Sequence, residues 1–120
     1  MEMITLSPRK ALLIGELNSQ SAGLVYDQVV EFCRNSTQDI TLNFSAVLSC
    51  TRAGCGLVFV VGKLLQNNGA RLCIEDAHPG VMRMILTSGF GHLLTFEPSV
   101  QWRCALASGR LVPRLNHARV

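Results

Sequence analysis

Residues 39–68 read DITLNFSAVLSCTRAGCGLVFVVGKLLQNN, and this stretch decides the fold. Its first third alternates apolar and polar residues from Ile40 to Phe44, which is typical of a half-buried β-strand. Its last third is apolar and ends in polar residues, which predicts a mostly buried helix that reaches the surface at its C-terminal end. Between them lie Gly54 and Gly56, and Thr51 is predicted to be the N-cap of the helix. Such a turn presents the free N–H groups of the first helical turn at the domain edge, where we expect the functional site.

The flanking residues continue the alternation of strands and helices. The predicted elements are strands at 2–6 and 11–15, a helix around 24–33 that Ser21 caps, the central strand and helix, a strand at 70–75, a helix around 81–87 for which Pro79 suits the first helical position, a strand at 93–97 and a helix from Pro98 to Leu106. The order β-β-α-β-α-β-α-β-α predicts an α/β fold. We expect a mostly parallel sheet of about five strands, with an N-terminal hairpin and helices packed on it.

Length and composition favour one small domain. A chain of 120 residues with 48% apolar and 16% charged residues is large and apolar enough for a single core. The apolar run from Cys55 to Gly62 is too short to span a bilayer, and no signal-peptide pattern is present, so we expect a cytoplasmic protein without direct membrane insertion. The domain is predicted at residues 1–108. Residues 109–120 are predicted to be a basic, irregular tail, more typical of a solvated end than of a nucleic-acid contact.

The residue types that carry metal or catalytic chemistry do not form a recognisable pattern. The five cysteines include no C-x-x-C pair and the three histidines are scattered, so we expect reduced structural thiols, no metal site and no cofactor. No catalytic triad, zinc-protease motif or phosphate-binding glycine loop occurs, which predicts that the protein is not an enzyme. Glu75 and Asp76 are adjacent carboxylates at a strand end, but a cap for the next helix explains Asp76 equally well.

Several segments resemble STAS domains, the anti-sigma-factor-antagonist family. Gly15-Glu16-Leu17-Asn18 resembles the family's G-E-L-D signature, and residues 42–47 resemble its central strand. The pattern Gly54-x-Gly56 before an apolar helix, followed by the segments 67–72 and 81–89, is similar to its second helix, fourth strand and third helix. The resemblance covers residues 2–108 in the same order and implies the same fold.

The resemblance also implies a function in protein–protein switching. In this family a partner kinase phosphorylates a serine in a D-S-[ST]-G loop at the start of the second helix, and the phosphate blocks docking. Here Thr51, Arg52 and Ala53 replace the aspartate, the acceptor serine and the second hydroxyl residue. The usual switch is therefore predicted to be absent. Thr51 and Ser49 are the alternatives for a displaced phosphoacceptor, although each hydroxyl has a structural use as a cap or in a turn.

The predicted partner-binding residues surround this loop. They are Asn18, Ser49, Thr51, Arg52, Ala53, Gly54, Cys55 and Phe59. Arg52 has two explanations: it pairs with a carboxylate of a partner, or it is an exposed residue in a loop that lost its switch. If Leu57 and Val61 face the sheet, Cys55, Phe59 and Gly62 lie on the other side of the helix. Phe59 is then either an exposed partner contact or is packed under the first helix.

We therefore expect a non-catalytic interaction module in bacterial signalling. Its predicted partner is a kinase-type anti-sigma factor or another STAS protein, and it forms a homodimer if the apolar second helix self-associates. The alternative is a STAS subunit of a lipid-trafficking ABC transporter that binds the ATPase, although those relatives keep a hydroxyl where Arg52 stands. A third hypothesis, a small-ligand or nucleotide binder, rests on Arg52 and the helix N–H groups.

Overall fold

The structure is a computed structural model that describes residues 1–99. Its elements are β1 Glu2–Ser7, β2 Lys10–Leu17, α1 Ser19–Cys33, β3 Ile40–Cys50, α2 Cys55–Asn67, β4 Leu72–Glu75, α3 Pro79–Thr87, a short 3-10 helix Gly91–Leu93 and β5 Leu94–Glu97. The strands lie in the sheet in the order β1-β2-β3-β4-β5. The β1–β2 pair is antiparallel and the other three pairs are parallel. This confirms the predicted mixed, mostly parallel sheet with an N-terminal hairpin.

One hydrophobic core joins the sheet to the three helices. Ile40, Leu42 and Phe44 of β3 are fully buried or nearly so, at every second position of the strand. The helices contribute their apolar faces to the same cluster, including Val29 of α1 and Val61 of α2. The central strand therefore holds the helices through its alternate side chains, and its last residues extend beyond this core to the sheet edge.

β3 is longer than the sequence pattern predicts. It continues past Phe44 to Cys50 because β2 pairs with it through Glu16↔Ser49 and Leu17↔Cys50. The register shifts twice along this pair, and the alternation of buried and exposed side chains breaks near Ser45. Backbone pairing with β2 thus extends β3 into residues whose side chains no longer show the alternation typical of a strand. Ser49, a predicted partner-binding residue, is therefore a residue of β3.

The first helix also begins earlier than expected. Its N-cap is Asn18, and Ser21 is the third helical residue, so the prediction that Ser21 is the N-cap is wrong. The two residues form a capping box, in which the Asn18 side chain accepts from the Ser21 backbone N–H and the Ser21 hydroxyl accepts from the Asn18 N–H. The third helix begins at Pro79, as predicted.

A polar cluster centred on Asn43 connects β3 to β4. The Asn43 amide donates to Glu75 at 2.8 Å and to Asp76 at 3.4 Å, and its carbonyl oxygen accepts from the Ser45 hydroxyl at 2.6 Å. Lys10 pairs with Glu75 at 2.8 Å. Asp76 does not cap the third helix, whose N-cap is His78. Asp76 is buried with a positive φ of 60° and belongs to the polar cluster, so the capping explanation is wrong.

The predicted final helix beyond Ser99 and the basic tail at 109–120 lie outside the described residues, so the domain boundary at residue 108 stays a prediction. Among residues 1–99, no helix combines the length and the apolar character needed to cross a membrane.

We predict that Asn43→Ala lowers the free energy of unfolding by about 1–3 kcal/mol, because it leaves the partners of a half-buried amide unpaired. Urea denaturation measures this change. Asn35→Ala is the matched control, since Asn35 is exposed after α1, and we expect its effect to stay within about 0.5 kcal/mol. Equal unfolding midpoints for the two variants would contradict a structural role for the Asn43 cluster.

Candidate functional site

The ends of β2 and β3 and the turn after β3 form one surface, which we call the turn edge and define as residues 16–18 and 48–54. Leu17 and Cys50 are paired at the end of the parallel β2–β3 ladder, so the two chain segments leave the sheet side by side. This is the carboxyl edge of the parallel strands, where open α/β sheets present their sites.

The turn 51–54 is held against the junction between β2 and α1. The Thr51 N–H donates to the Leu17 carbonyl at 2.9 Å. Gly54 is buried against the same backbone, where an added Cβ would overlap the Leu17 carbonyl group and lie only 2.9 Å from the Asn18 nitrogen. A glycine is needed at position 54 for this close approach rather than for an unusual φ, since its φ of −64° is helical.

Thr51 caps this turn rather than the regular helix. Its hydroxyl accepts from the Gly54 N–H at 3.0 Å and its carbonyl accepts from the Cys55 N–H at 3.1 Å. The regular helix starts at Cys55, and its N-cap, Gly54, has no side chain to make a cap. The prediction that Thr51 is the N-cap of α2 is therefore wrong in position, although the Thr51 hydroxyl does satisfy an N–H group of the turn.

Asn18 lies on the turn edge, but its side-chain oxygen is already used in the fold. This oxygen accepts from the backbone N–H groups of Gln20 and Ser21, each at 3.0 Å. The Ser49 hydroxyl donates to the Glu16 carboxylate at 3.2 Å, and both residues are exposed. These two predicted site residues are thus at the edge, and each has a partner within the chain.

Arg52 and Ala53 are the exposed centre of the turn. Within residues 1–99, the Arg52 guanidinium makes no ion pair and no hydrogen bond. The backbone bonds of the turn use neither side chain. The chain therefore presents a cation at the tip of the turn without using it to hold the turn together.

The helix face beyond the turn differs from the expected one. Cys55 and Gly62 are buried, so the prediction that they lie on the outward side of α2 is wrong for both. Gly62 packs against Leu93, which lies 3.1 Å from the position of a Cβ on Gly62. Phe59 is 39% exposed, and its ring contacts Phe90 at a centroid distance of 5.0 Å rather than lying under α1. Phe90, which follows α3, thus covers part of Phe59, the predicted partner-contact residue.

Two thiols meet at the base of the turn. The Sγ atoms of Cys50 and Cys55 lie 3.3 Å apart. Burial, followed by the hydrogen bond and charge of the Cys55 thiol, raises the pKa of Cys50 to about 12. Burial likewise raises the pKa of Cys33 to about 12. These groups are therefore thiols at neutral pH, which fits structural rather than catalytic cysteines.

A cavity that the sequence patterns do not predict lies beside the turn edge. Its volume is about 360 Å³, and it is lined by Leu48, Ser49, Cys50, His78, Gly80 and Val81. The Leu48 side chain is 74% exposed. The only signal in the sequence is the apolar Val47-Leu48 pair, which places one leucine outside if the strand continues. Among residues 1–99, no group of three or more metal-ligating side chains is assembled.

The sequence also shows which family the chain belongs to. The model of the STAS domain matches residues 12–102, which spans β2 to β5 and the whole turn edge. The chain belongs to the STAS domain family. A comparison with curated proteins found no match.

Several solved structures share the fold at low sequence identity. The unphosphorylated anti-sigma factor antagonist SpoIIAA is 18% identical, with 92% of this chain and 97% of that chain covered and a TM-score of 0.64. A provisional anti-sigma factor antagonist from Thermotoga maritima is 17% identical, with 92% and 94% covered and a TM-score of 0.66. The murine anion transporter Slc26a9 is 14% identical, with 83% of this chain but only 17% of that chain covered and a TM-score of 0.66. These likenesses establish the fold.

We predict opposite effects of alanine at the two glycines that flank Cys55. Gly54→Ala lowers the free energy of unfolding by about 1–3 kcal/mol, because its Cβ overlaps the Leu17 carbonyl and displaces the turn. Gly56→Ala is the matched control: its Cβ enters open space in α2, so better helix propensity raises stability by up to about 1 kcal/mol. Urea denaturation measures both, and a Gly54→Ala variant as stable as the wild type would show that the turn is not held as described.

Proposed function

We propose that this STAS domain is a non-catalytic protein–protein interaction module in bacterial signalling. In this proposal it docks through the turn edge without phosphorylation at the family's usual position. A kinase-type anti-sigma factor or another STAS protein is the partner. The family membership and the likeness to SpoIIAA support this class of function, because that structure is of an anti-sigma factor antagonist.

The observation that carries the proposal is the exposed Arg52-Ala53 pair at the tip of a firmly held turn. Arg52 occupies the position that the resemblance gives to the acceptor serine, and Ala53 has no hydroxyl. The turn still lies on the junction between β2 and α1 through Thr51 and Gly54. These contacts support a docking surface that forms without the residue that phosphate would modify.

The displaced acceptors are both disfavoured by their contacts. The Thr51 hydroxyl accepts from Gly54 N–H, and a phosphoryl ester there would have to keep or replace this bond. The Ser49 hydroxyl lies 3.2 Å from the Glu16 carboxylate, so a phosphate dianion on Ser49 would face a like charge. These contacts support a turn edge that does not switch by phosphorylation.

Arg52 is the residue that we propose to bind the partner. It is exposed and makes no ion pair within residues 1–99, so its planar group is available for bidentate contact with a carboxylate. At a helix N-terminus a cation is opposed by the helix dipole by about 0.3–1 kcal/mol. An arginine here is therefore better explained by a partner's acid than by the stability of α2.

The second candidate is a STAS subunit of a lipid-trafficking ABC transporter. Its support is the likeness to part of a chain of a membrane transporter, the murine anion transporter Slc26a9. In that case the turn edge would contact the transporter ATPase. Identification of the bound partner distinguishes the two, since a permease would accompany a transport ATPase and would not accompany an anti-sigma factor.

We predict that the immobilised full chain retains a histidine-kinase-like ATPase from a native lysate, and that Arg52→Glu weakens this retention at least tenfold. Reversing the charge removes the ion pair and places two acids in contact, and loss of about 1.4 kcal/mol already corresponds to tenfold. Capture followed by mass spectrometry measures the change.

Arg9→Glu is the matched control for this capture, because Arg9 is an exposed arginine in the β1–β2 turn, before the start of β2. We expect its retention to equal that of the wild type. Equal retention of the Arg52→Glu variant would reject the role of Arg52, and capture of an ATPase together with a permease would favour the transporter candidate.

We further predict that the tryptic peptide 35–52, which contains Ser49 and Thr51, carries no phosphoryl group in cells that express the partner kinase. Mass spectrometry of the chain isolated with phosphatase inhibitors measures this. A phosphorylated peptide that disappears in a Thr51→Ala or Ser49→Ala variant would establish a displaced acceptor and contradict constitutive docking.

A further inference from the structure

Two cysteines flank the turn 51–54 of the turn edge. Cys50 is the last residue of β3 and Cys55 is the first residue of α2, with the turn 51–54 between them. Their Sγ atoms lie 3.3 Å apart, whereas a disulfide requires about 2.05 Å. Small rotations of the two cysteine side chains can bring the sulfurs about 1.3 Å closer, because the end of β3 and the start of α2 are adjacent.

The two thiols differ in their access to solvent. Cys55 is fully buried, whereas Cys50 is only partly buried and lines the cavity beside the turn edge. A small oxidant in this cavity therefore meets Cys50 first, and Cys55 lies directly behind it. Cys33 is fully buried in the core and does not line this cavity, so an oxidant in the cavity does not reach it.

We propose that Cys50 and Cys55 form a reversible dithiol–disulfide site, that a low-molecular-weight disulfide such as oxidised glutathione is its oxidant, and that the resulting bond constrains the turn 51–54. This assigns a covalent modification site to a chain whose usual phosphoacceptor position is occupied by Arg52.

The reaction is two thiol–disulfide exchanges. The Cys50 thiolate attacks one sulfur of the oxidant, and the oxidant S–S bond breaks. A mixed disulfide forms at Cys50, and one small thiolate is released. The Cys55 thiolate then attacks the Cys50 sulfur and releases the second small thiolate. The two protons lost by the cysteines are taken up by the two released thiolates. The protein thiols lose two electrons, and the oxidant is reduced to two small thiols.

The rates of the two steps differ for physical reasons. Burial keeps Cys50 largely protonated at neutral pH, so the first exchange is slow and the pair stays reduced while the oxidant is scarce. The second exchange is intramolecular between sulfurs that are already in contact, so the mixed disulfide is short-lived. The disulfide is thus the species that accumulates.

The bond would act on the same turn that presents Arg52. Drawing the start of α2 toward the end of β3 alters a turn that Gly54 holds flush against Leu17. We expect the oxidised chain to bind the partner less well than the reduced chain. This effect on docking rests on the proposed function, whereas formation of the bond does not.

Peptide mapping tests the bond on the isolated full chain. Trypsin cleaves after Arg52, which separates Cys50 in peptide 35–52 from Cys55 in peptide 53–63. The reduced chain is treated with oxidised glutathione at pH 8, all free thiols are alkylated in denaturant, and the chain is digested without reductant. We expect the two peptides to be linked at least tenfold more than in the untreated chain, and to separate on reduction.

Cysteine variants show which thiols form the bond. Cys50→Ser abolishes the linked pair, whereas Cys33→Ser and Cys104→Ser keep it. Alkylation of both Cys50 and Cys55 when the treated chain is unfolded without reductant, or their linkage to other cysteines, would overturn the proposal without any reference to a partner.

The capture assay, repeated with reduced and oxidised chain in lysate freed of small thiols, tests the effect on docking. We expect at least tenfold weaker retention of the ATPase by the oxidised wild type, and no difference for Cys50→Ser. Equal retention by both forms of the wild type would overturn control of docking by the bond. If neither form retains an ATPase or another STAS protein, the proposed function is wrong, and the peptide map still decides whether the bond forms.

Discussion

The contact between Gly54 and the backbone at Leu17 is the constraint on which the site depends. It brings the start of α2 against the start of α1, with the Thr51 N–H bound to the Leu17 carbonyl beside it. A side chain at position 54 would push the two segments apart. The parallel pairing of β2 and β3 up to Leu17 and Cys50 delivers both chain segments to this contact.

Two helix N-termini consequently meet at the turn edge, and neither helix has an acidic residue in its first turn. Each N-terminus carries a partial positive charge. Within residues 16–18 and 48–54, Glu16 is the sole acid and Arg52 the sole base. The edge therefore presents one anion and one cation on a partly positive background. If a partner docks there as we propose, it must match both charges, which favours one docking orientation over others.

The sequence predicts the order of elements well because periodicity and turn residues report it directly. It predicts the site less well, for reasons that concern particular residues. The end of β3 at Cys50 depends on pairing with β2, and no side-chain pattern encodes that pairing. The burial of Cys55 depends on where the whole helix is placed. The identity of the first cap depends on a choice between Asn18 and Ser21 that only the backbone geometry makes.

The same geometry explains how the side chains at positions 52 and 53 can vary without loss of the fold. The turn is held by the Thr51 backbone and hydroxyl, by Gly54 and by the Leu17 carbonyl, and the side chains at 52 and 53 take no part in it. Substitutions at these two positions therefore change the charge and the chemistry of the edge at little cost in stability. Selection on binding can act there independently of selection on folding. An arginine at position 52 is thus compatible with an intact STAS fold, and in the proposed function it acts on what the edge binds rather than on whether the edge forms.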